Sequence, residues 1–310
     1  MPEKLGDPDS TYRSARRLAF ATVDVFTTRP LEGNSLAVLP DVTGLTEGEM
    51  LAIAREFHLS ETTFVFRREA AVERVRGIRT RIFTTGEEMP FAGHPTLGTA
   101  AVLRARGAGD EVNLELNVGT IPVRFSQRGG RAFGEMTQID PVFGRVHDRD
   151  RVAEAIGVTS DEIEIEPPIQ TVSTGNPVAI VPFARLETLQ RWSPSWERME
   201  SYLRGSDARF VYAVCRETVD SDAQLHARMV FYGGDDPATG SAAGPAAAWM
   251  VRWDLVPSGS TVQIEQGLEV HRPSRIFARA ERAGERVTQV RVGGFFAPMT
   301  EGELTLPGVA

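Results

Sequence analysis

Gly33-Asn34-Ser35-Leu36-Ala37-Val38-Leu39-Pro40 returns later in the chain as Gly175-Asn176-Pro177-Val178-Ala179-Ile180-Val181-Pro182. A second echo follows. Arg81-Ile82-Phe83, leading into Phe91-Ala92-Gly93-His94-Pro95, is answered by Arg228-Met229-Val230-Phe231, leading into Ala238-Thr239-Gly240-Ser241. The order of the pieces is the same in both halves. Two like lobes with a cleft between them are therefore expected, each bringing one glycine-containing turn to that cleft.

The bulk numbers agree with a globular enzyme-sized protein. The chain has 310 residues, 41% hydrophobic and 25% charged, enough to bury a large core in roughly two domains. A net charge of −8 argues against nucleic acid or an anionic membrane surface as partner. No apolar run approaches the roughly 20 residues of a bilayer span. Residues 1–17 are polar, with no hydrophobic segment after their charges, and read as a flexible tail and not a secretory signal. The single cysteine, Cys215, sits in the apolar run Phe210-Val211-Tyr212-Ala213-Val214. It reads as a buried, inert thiol in a reducing cytoplasm.

Strand patterns dominate. Residues 18–26, 35–39, 62–66, 75–83, 112–118, 121–126 and 132–139 read as strands of a first lobe, many alternating apolar and polar as half-buried antiparallel strands do. A helix is expected over 46–57, because Thr46 and Glu49 have capping-box spacing and Leu45 can staple to Met50. Another is expected over 95–105, apolar on every face and hence buried. The second lobe repeats the plan after an extra helix at 150–156. Its strands fall near 169–173, 178–181, 209–215, 227–232, 262–269, 275–281, 287–292 and 303–306, with an Ala-rich helix at 242–253. The fold class is α+β: two pseudo-symmetric lobes, each a curved antiparallel sheet wrapped around a central apolar helix. Residues 18–139 form the first lobe, completed by a C-terminal strand at about 296–310, and residues 140–295 form the second.

Three segments concentrate reactive residue types. In Leu59-Ser60-Glu61-Thr62-Thr63-Phe64-Val65 a strand would put Glu61 on one face with Leu59, Thr63 and Val65. Glu61 is then either a desolvated carboxyl with a raised pKa, suited to general acid–base work, or a strand-edge group in solvent. In Pro90-Phe91-Ala92-Gly93-His94-Pro95 a loop becomes a helix, whose free N–H groups can hold an anion. There Gly93 and His94 are either site residues or a turn and a cap. The third stretch, Gly234-Asp235-Asp236-Pro237-Ala238-Thr239-Gly240-Ser241 with Gly233 before it, has small residues that let a ligand approach the backbone. It lacks the lysine of a phosphate loop, and its plain alternative is a structural turn. Two helix starts aimed at one cleft suit a small carboxylate-bearing substrate. The five histidines are scattered, so no metal site is expected, and no dinucleotide fingerprint is present.

With these segments the chain resembles the phenazine-biosynthesis isomerase family, whose fold is that of diaminopimelate epimerase. The resemblance rests on Val23-Asp24-Val25-Phe26, Gly33-Asn34, the Glu61 segment, the Gly93-His94-Pro95 turn, and Asp236 through Gly240-Ser241, in the family's order. It implies isomerisation of trans-2,3-dihydro-3-hydroxyanthranilate by a proton shift, without a cofactor. Carried across residue by residue, Glu61 matches the family's catalytic base and acid. His94, Asp236 and Ser241 match its other catalytic positions, while Gly93, Thr239 and Gly240 fall among its substrate-binding residues. Racemases of the same fold need a cysteine from each lobe, and neither glycine turn here has one. A cytoplasmic homodimer is expected. Two other readings stay open: an isomerase or epimerase-like enzyme acting on another small amino acid, and a non-catalytic ligand-binding relative.

Overall fold

The computed structural model describes residues 15–231 and 234–307. Most of the stretch read as a tail lies outside the described residues, as do Tyr232, Gly233 and the last three positions. Strand β1 (Arg16–Val25) starts two residues inside that stretch. After it come β2 (Asn34–Leu39), β3 (Glu61–Phe66), β4 (Ile78–Phe83), the short β5 (Glu88–Met89), β6 (Glu111–Leu116), β7 (Gly119–Arg128) and β8 (Arg131–Thr137). The second half supplies β9 (Val142–Val146), β10 (Gln170–Ser173), β11 (Pro177–Phe183), β12 (Phe210–Cys215), β13 (Leu225–Phe231), β14 (Gly234–Asp235), β15 (Val262–Gln266), β16 (Ser274–Ala283), β17 (Arg286–Gly294) and β18 (Phe296–Leu306).

The pairings form two matched series. One runs β18-β1-β2-β3-β4-β6-β7-β8. The other runs β9-β10-β11-β12-β13-β15-β16-β17. Step by step, the two have the same senses. Most pairs are antiparallel, but β2–β3 and β4–β6 are parallel, and so are their counterparts β11–β12 and β13–β15. The parallel steps come where a helix, not a turn, joins the strands, because a parallel neighbour needs a crossover. The last strand, β18, closes the first series, and β8 pairs β17 to join the two.

Each series wraps one helix. Helix α1 (Glu47–Phe57) has the expected capping box on Thr46 and packs outside the first sheet. A short α2 (Ala70–Arg76) replaces the start of the expected strand at 75–83; Gly77, at φ 90°, ends it. The central helix α3 (Gly93–Leu103) has every residue buried, and Pro95 lies in its first turn, where a missing N–H costs nothing. Its start two residues earlier than expected brings Gly93 and His94 inside the helix. In the second series come α4 (Arg149–Ile156), α5 (Leu186–Arg191) and α6 (Trp196–Leu203), then the central α7 (Gly240–Arg252), buried from Gly240 to Val251. Helices α5 and α6 were not expected from the sequence. The expected strand at 262–269 stops at Gln266, because Gly267 turns the chain at φ 82°.

Core side chains such as Leu97 and Trp249 are at most 1% exposed, and burying each large apolar side chain is worth about 1.5–3 kcal/mol. The central helices need no polar face, because sheet or partner helix surrounds them. Among the described residues no helix is long and apolar enough to cross a membrane.

Candidate active site

The N-termini of α3 and α7 touch. A Cβ on Gly93 would lie 2.4 Å from the carbonyl carbon of Gly240 and 2.5 Å from the Ser241 nitrogen. Only glycine permits that approach. The first amides of both helices precede any intrahelical acceptor, so both offer free donors at one place. A pocket at this junction is lined by Glu61, Gly93, His94, Asp236, Thr239, Gly240 and Ser241. All the residues singled out in the sequence thus meet in one cavity.

Glu61 opens β3, in register with Leu36. Its side chain is 15% exposed, and among the described residues Oε2 has no hydrogen-bond partner. Burial, and secondly the charge of Asp236, holds its carboxyl well above the usual carboxylate range. The nearest basic atom is His94 Nε2, at 3.6 Å, which also lacks a partner.

His94 is 3% exposed. Burial pushes its pKa down to about 3, against a hydrogen bond with the Ser35 backbone that favours the cation; the ring is neutral at pH 7. Asn34 Nδ2 has two protons, and its closest acceptors are Asp236 Oδ1 at 2.7 Å and the Ala238 carbonyl at 3.0 Å. The same nitrogen lies within hydrogen-bond distance of His94 Nδ1, at 3.2 Å. The other ring nitrogen, Nε2, faces Glu61.

Asp236 is the better-supported acid. It receives Asn34 Nδ2 on Oδ1 and, at 2.6 Å, Thr239 Oγ1 on Oδ2. Burial still raises it to about 6, with Asp235 adding to the rise and the hydrogen bonds opposing it. Asp235 itself points away, into an ion pair with Arg228 at 2.9 Å. The site thus holds two carboxyls of different character: Glu61, unsupported and of raised proton affinity, and Asp236, held by donors.

The registers of the two series show how one site arose from two like lobes. Leu36 pairs Glu61 where Val178 pairs Phe210. Ile82 pairs Met89, and in the second lobe the Asp236 amide donates to the Met229 carbonyl. Phe210 therefore stands in the place of Glu61, and Met89 in the place of Asp236. All four line the pocket. Each lobe supplies one acid and one apolar wall, at exchanged positions.

Asn34 and Asn176 were not singled out from the sequence as site residues. Asn34 reaches across to Ala238, and Asn176 Nδ2 reaches the Phe91 carbonyl at 3.3 Å. Each asparagine of one lobe holds the turn two residues ahead of the other lobe's helix. The signal was there: both follow the repeated glycine of the opening motif.

Comparison with known proteins follows this geometry. The model of the family described as phenazine biosynthesis-like protein matches residues 23–302. The chain belongs to that family. Within it, an uncharacterised isomerase of Mesorhizobium japonicum is 38% identical, over 91% of this chain and 96% of its own length. The trans-2,3-dihydro-3-hydroxyanthranilate isomerase of Pseudomonas aeruginosa is 34% identical over 93% of this chain and 99% of its own. The crystal structure of a Bacillus anthracis phenazine biosynthesis protein of the PhzF family superposes with a TM-score of 0.84 at 29% identity, covering 94% of this chain and all of that one. The protein is an isomerase of the phenazine biosynthesis-like family, built on the two-lobed epimerase-type fold.

Proposed function

We propose that the protein isomerises trans-2,3-dihydro-3-hydroxyanthranilate in phenazine biosynthesis, by moving a proton between ring carbons without a cofactor. The observation that carries this reading is the orphaned Glu61 Oε2, buried in the pocket with neither donor nor cation to occupy it among the described residues. Such a carboxyl has a raised proton affinity and free access to a substrate carbon, as proton transfer near neutral pH requires. A substrate ammonium arriving beside Asp236 would lower that affinity, so that Glu61 gives its proton up to water and stands ready as a base. Glu61 then takes the proton from the allylic carbon and returns it elsewhere on the conjugated system, so the net composition is unchanged. Neutral His94, Ser241 and the helix-start amides of Gly93 and Gly240 orient the carboxylate and hydroxyl of the substrate.

A second reading keeps the isomerase and changes its substrate. The relative at 38% identity is described only as an uncharacterised isomerase, which leaves room for another small amino acid as substrate. Assembly as a cytoplasmic homodimer goes with either reading.

Incubation in heavy water separates the possibilities. With trans-2,3-dihydro-3-hydroxyanthranilate the expected result is turnover, with deuterium entering at a ring carbon. Exchange on a different amino acid alone moves the substrate to the second reading. Absence of any carbon-bound exchange over a panel of small amino acids sinks the catalytic reading.

A further inference from the structure

Behind Asp236 lies a polar network that the second lobe has and the first lacks. Gln266 is wholly buried, at the end of β15. Its Nε2 donates to the Asp236 backbone carbonyl at 2.7 Å and to Thr239 Oγ1 at 2.9 Å. Its Oε1 accepts from the Thr239 amide and from the Tyr212 hydroxyl, both at 3.1 Å. The amide orientation is determined, because the Thr239 N–H can only donate and the Asp236 carbonyl can only accept. Since Thr239 Oγ1 accepts from Gln266, its own proton is directed to Asp236 Oδ2, 2.6 Å away.

The first lobe is an internal control. Following the matched registers outward from the two opening motifs sets Tyr212 against Thr63, and Gln266 against Leu116. Thr239 likewise matches Ala92, and Asp236 matches Met89. Leu116 is 3% exposed; the same fold position is filled there by an ordinary core residue. The architecture does not require an amide at this place. Burying one is costly unless every donor and acceptor is met, and here every one is met by groups that lead to Asp236.

We propose that Gln266 is a positioning residue of the isomerase site: with Tyr212 behind it and Thr239 in front, it holds Asp236 as a fixed acceptor for a cationic group of the substrate. The substrate's part in this rests on the function proposed above; the positioning of Asp236 does not.

The test uses the free enzyme, so a wrong substrate cannot spoil it. The side-chain carboxyls of aspartate are labelled with carbon-13, and Asp236 is titrated by NMR after assignment with Asp236→Asn. The charged and titratable groups around it are Glu61, Asp235 with its partner Arg228, Tyr212, and His94 beyond Asn34. A parallel titration in Glu61→Gln removes the coupled neighbour. Gln266→Leu, which installs the first lobe's residue, is expected to raise the Asp236 midpoint by about one pH unit, a tenfold change in acidity, because a hydrogen bond to the anion is loosened. Thr239→Val should raise it at least as far, and Thr239→Ser should leave it near the wild-type value. The threonine pair decides the matter if Gln266→Leu does not fold. An unchanged Asp236 midpoint in a folded Gln266→Leu protein, or in Thr239→Val, overturns the proposal and leaves Gln266 a packing residue.

Discussion

Asn34 Nδ2 lies 2.7 Å from Asp236 Oδ1, a hydrogen bond between the turn that opens one lobe's second strand and the turn that leads into the other lobe's central helix. The same amide group reaches Ala238 and borders His94. One side chain thereby connects the carboxylate of the second lobe, the approach to α7 and the histidine of α3. Among the described residues its symmetry mate, Asn176, makes only the bond to the backbone of the opposite turn.

That asymmetry predicts unequal mutants. Asn34→Ala removes a donor to a buried carboxylate as well as one to a backbone carbonyl, and is expected to cost about 1–3 kcal/mol and much of the activity. Asn176→Ala loses a single longer bond, about 0.5–1.5 kcal/mol, and should keep activity within a few-fold. Urea unfolding and steady-state kinetics of the two variants, side by side, provide the check. Equal losses of activity would contradict a special part for Asn34.

Glu61→Gln keeps shape but cannot carry the proton. Positioned acid–base groups contribute about 10²–10⁴-fold to rate, so turnover should fall at least about a hundredfold, with ligand binding and fold retained. Asp236→Asn should weaken binding as well as turnover. Calorimetric binding of an aminobenzoate, measured beside the rates, distinguishes the two variants. Near-wild-type turnover by Glu61→Gln removes Glu61 from the mechanism.

The same Glu61→Gln change should make the protein more stable at pH 8. Folded Glu61 binds its proton more tightly than the unfolded chain does, because burial and the Asp236 charge disfavour the anion. Between the unfolded and folded values the folded state holds more protons, so stability falls as pH rises through that window. Below the unfolded carboxyl range both states are protonated and the penalty is absent. Thermal unfolding of wild type and variant should therefore diverge with rising pH and converge toward pH 4. A constant difference across that range would refute the linkage.

Gly93→Ala places a methyl group 2.4 Å from the Gly240 carbonyl carbon. Backbone cannot rotate aside as a side chain can, so the two helix starts must part. The expected cost is about 1–3 kcal/mol, with activity lost by more than the stability change explains, because the amides of both turns move. In Gly240→Ala the nearest atom is the ring tip of Phe26, at 2.8 Å; a ring can shift, so this variant should be the milder one. Denaturant midpoints and rates for the pair test the order.

Much of this was legible in the chain because it is locally encoded. A capping box at Thr46 and Glu49 spans only four residues, and it is present as read. The two apolar central helices showed themselves by composition, since a helix enclosed by a sheet needs no polar stripe. The residues Glu61, Gly93, His94, Asp236, Thr239, Gly240 and Ser241 stood in three short segments whose types announced chemistry. What failed was also local: α5 and α6 are one or two turns long, too short for a periodic pattern to stand out, and the 75–83 stretch looked like strand until Gly77 divided it.

Tertiary structure alone decided the rest. Which strand lies beside which depends on contacts distant along the chain, and periodicity carries no record of a partner; hence the parallel steps inside largely antiparallel sheets. The chemistry of the site is of that kind. Only registers from both lobes reveal that Phe210 stands where Glu61 does, and Met89 where Asp236 does. Only burial makes Glu61 an orphaned acid beside a neutral His94, while Gln266 and Asn34, from distant parts of the chain, hold Asp236. A sequence names the groups present, but proton affinity is set by what surrounds a group in space, and that surrounding exists only once the lobes have closed on each other.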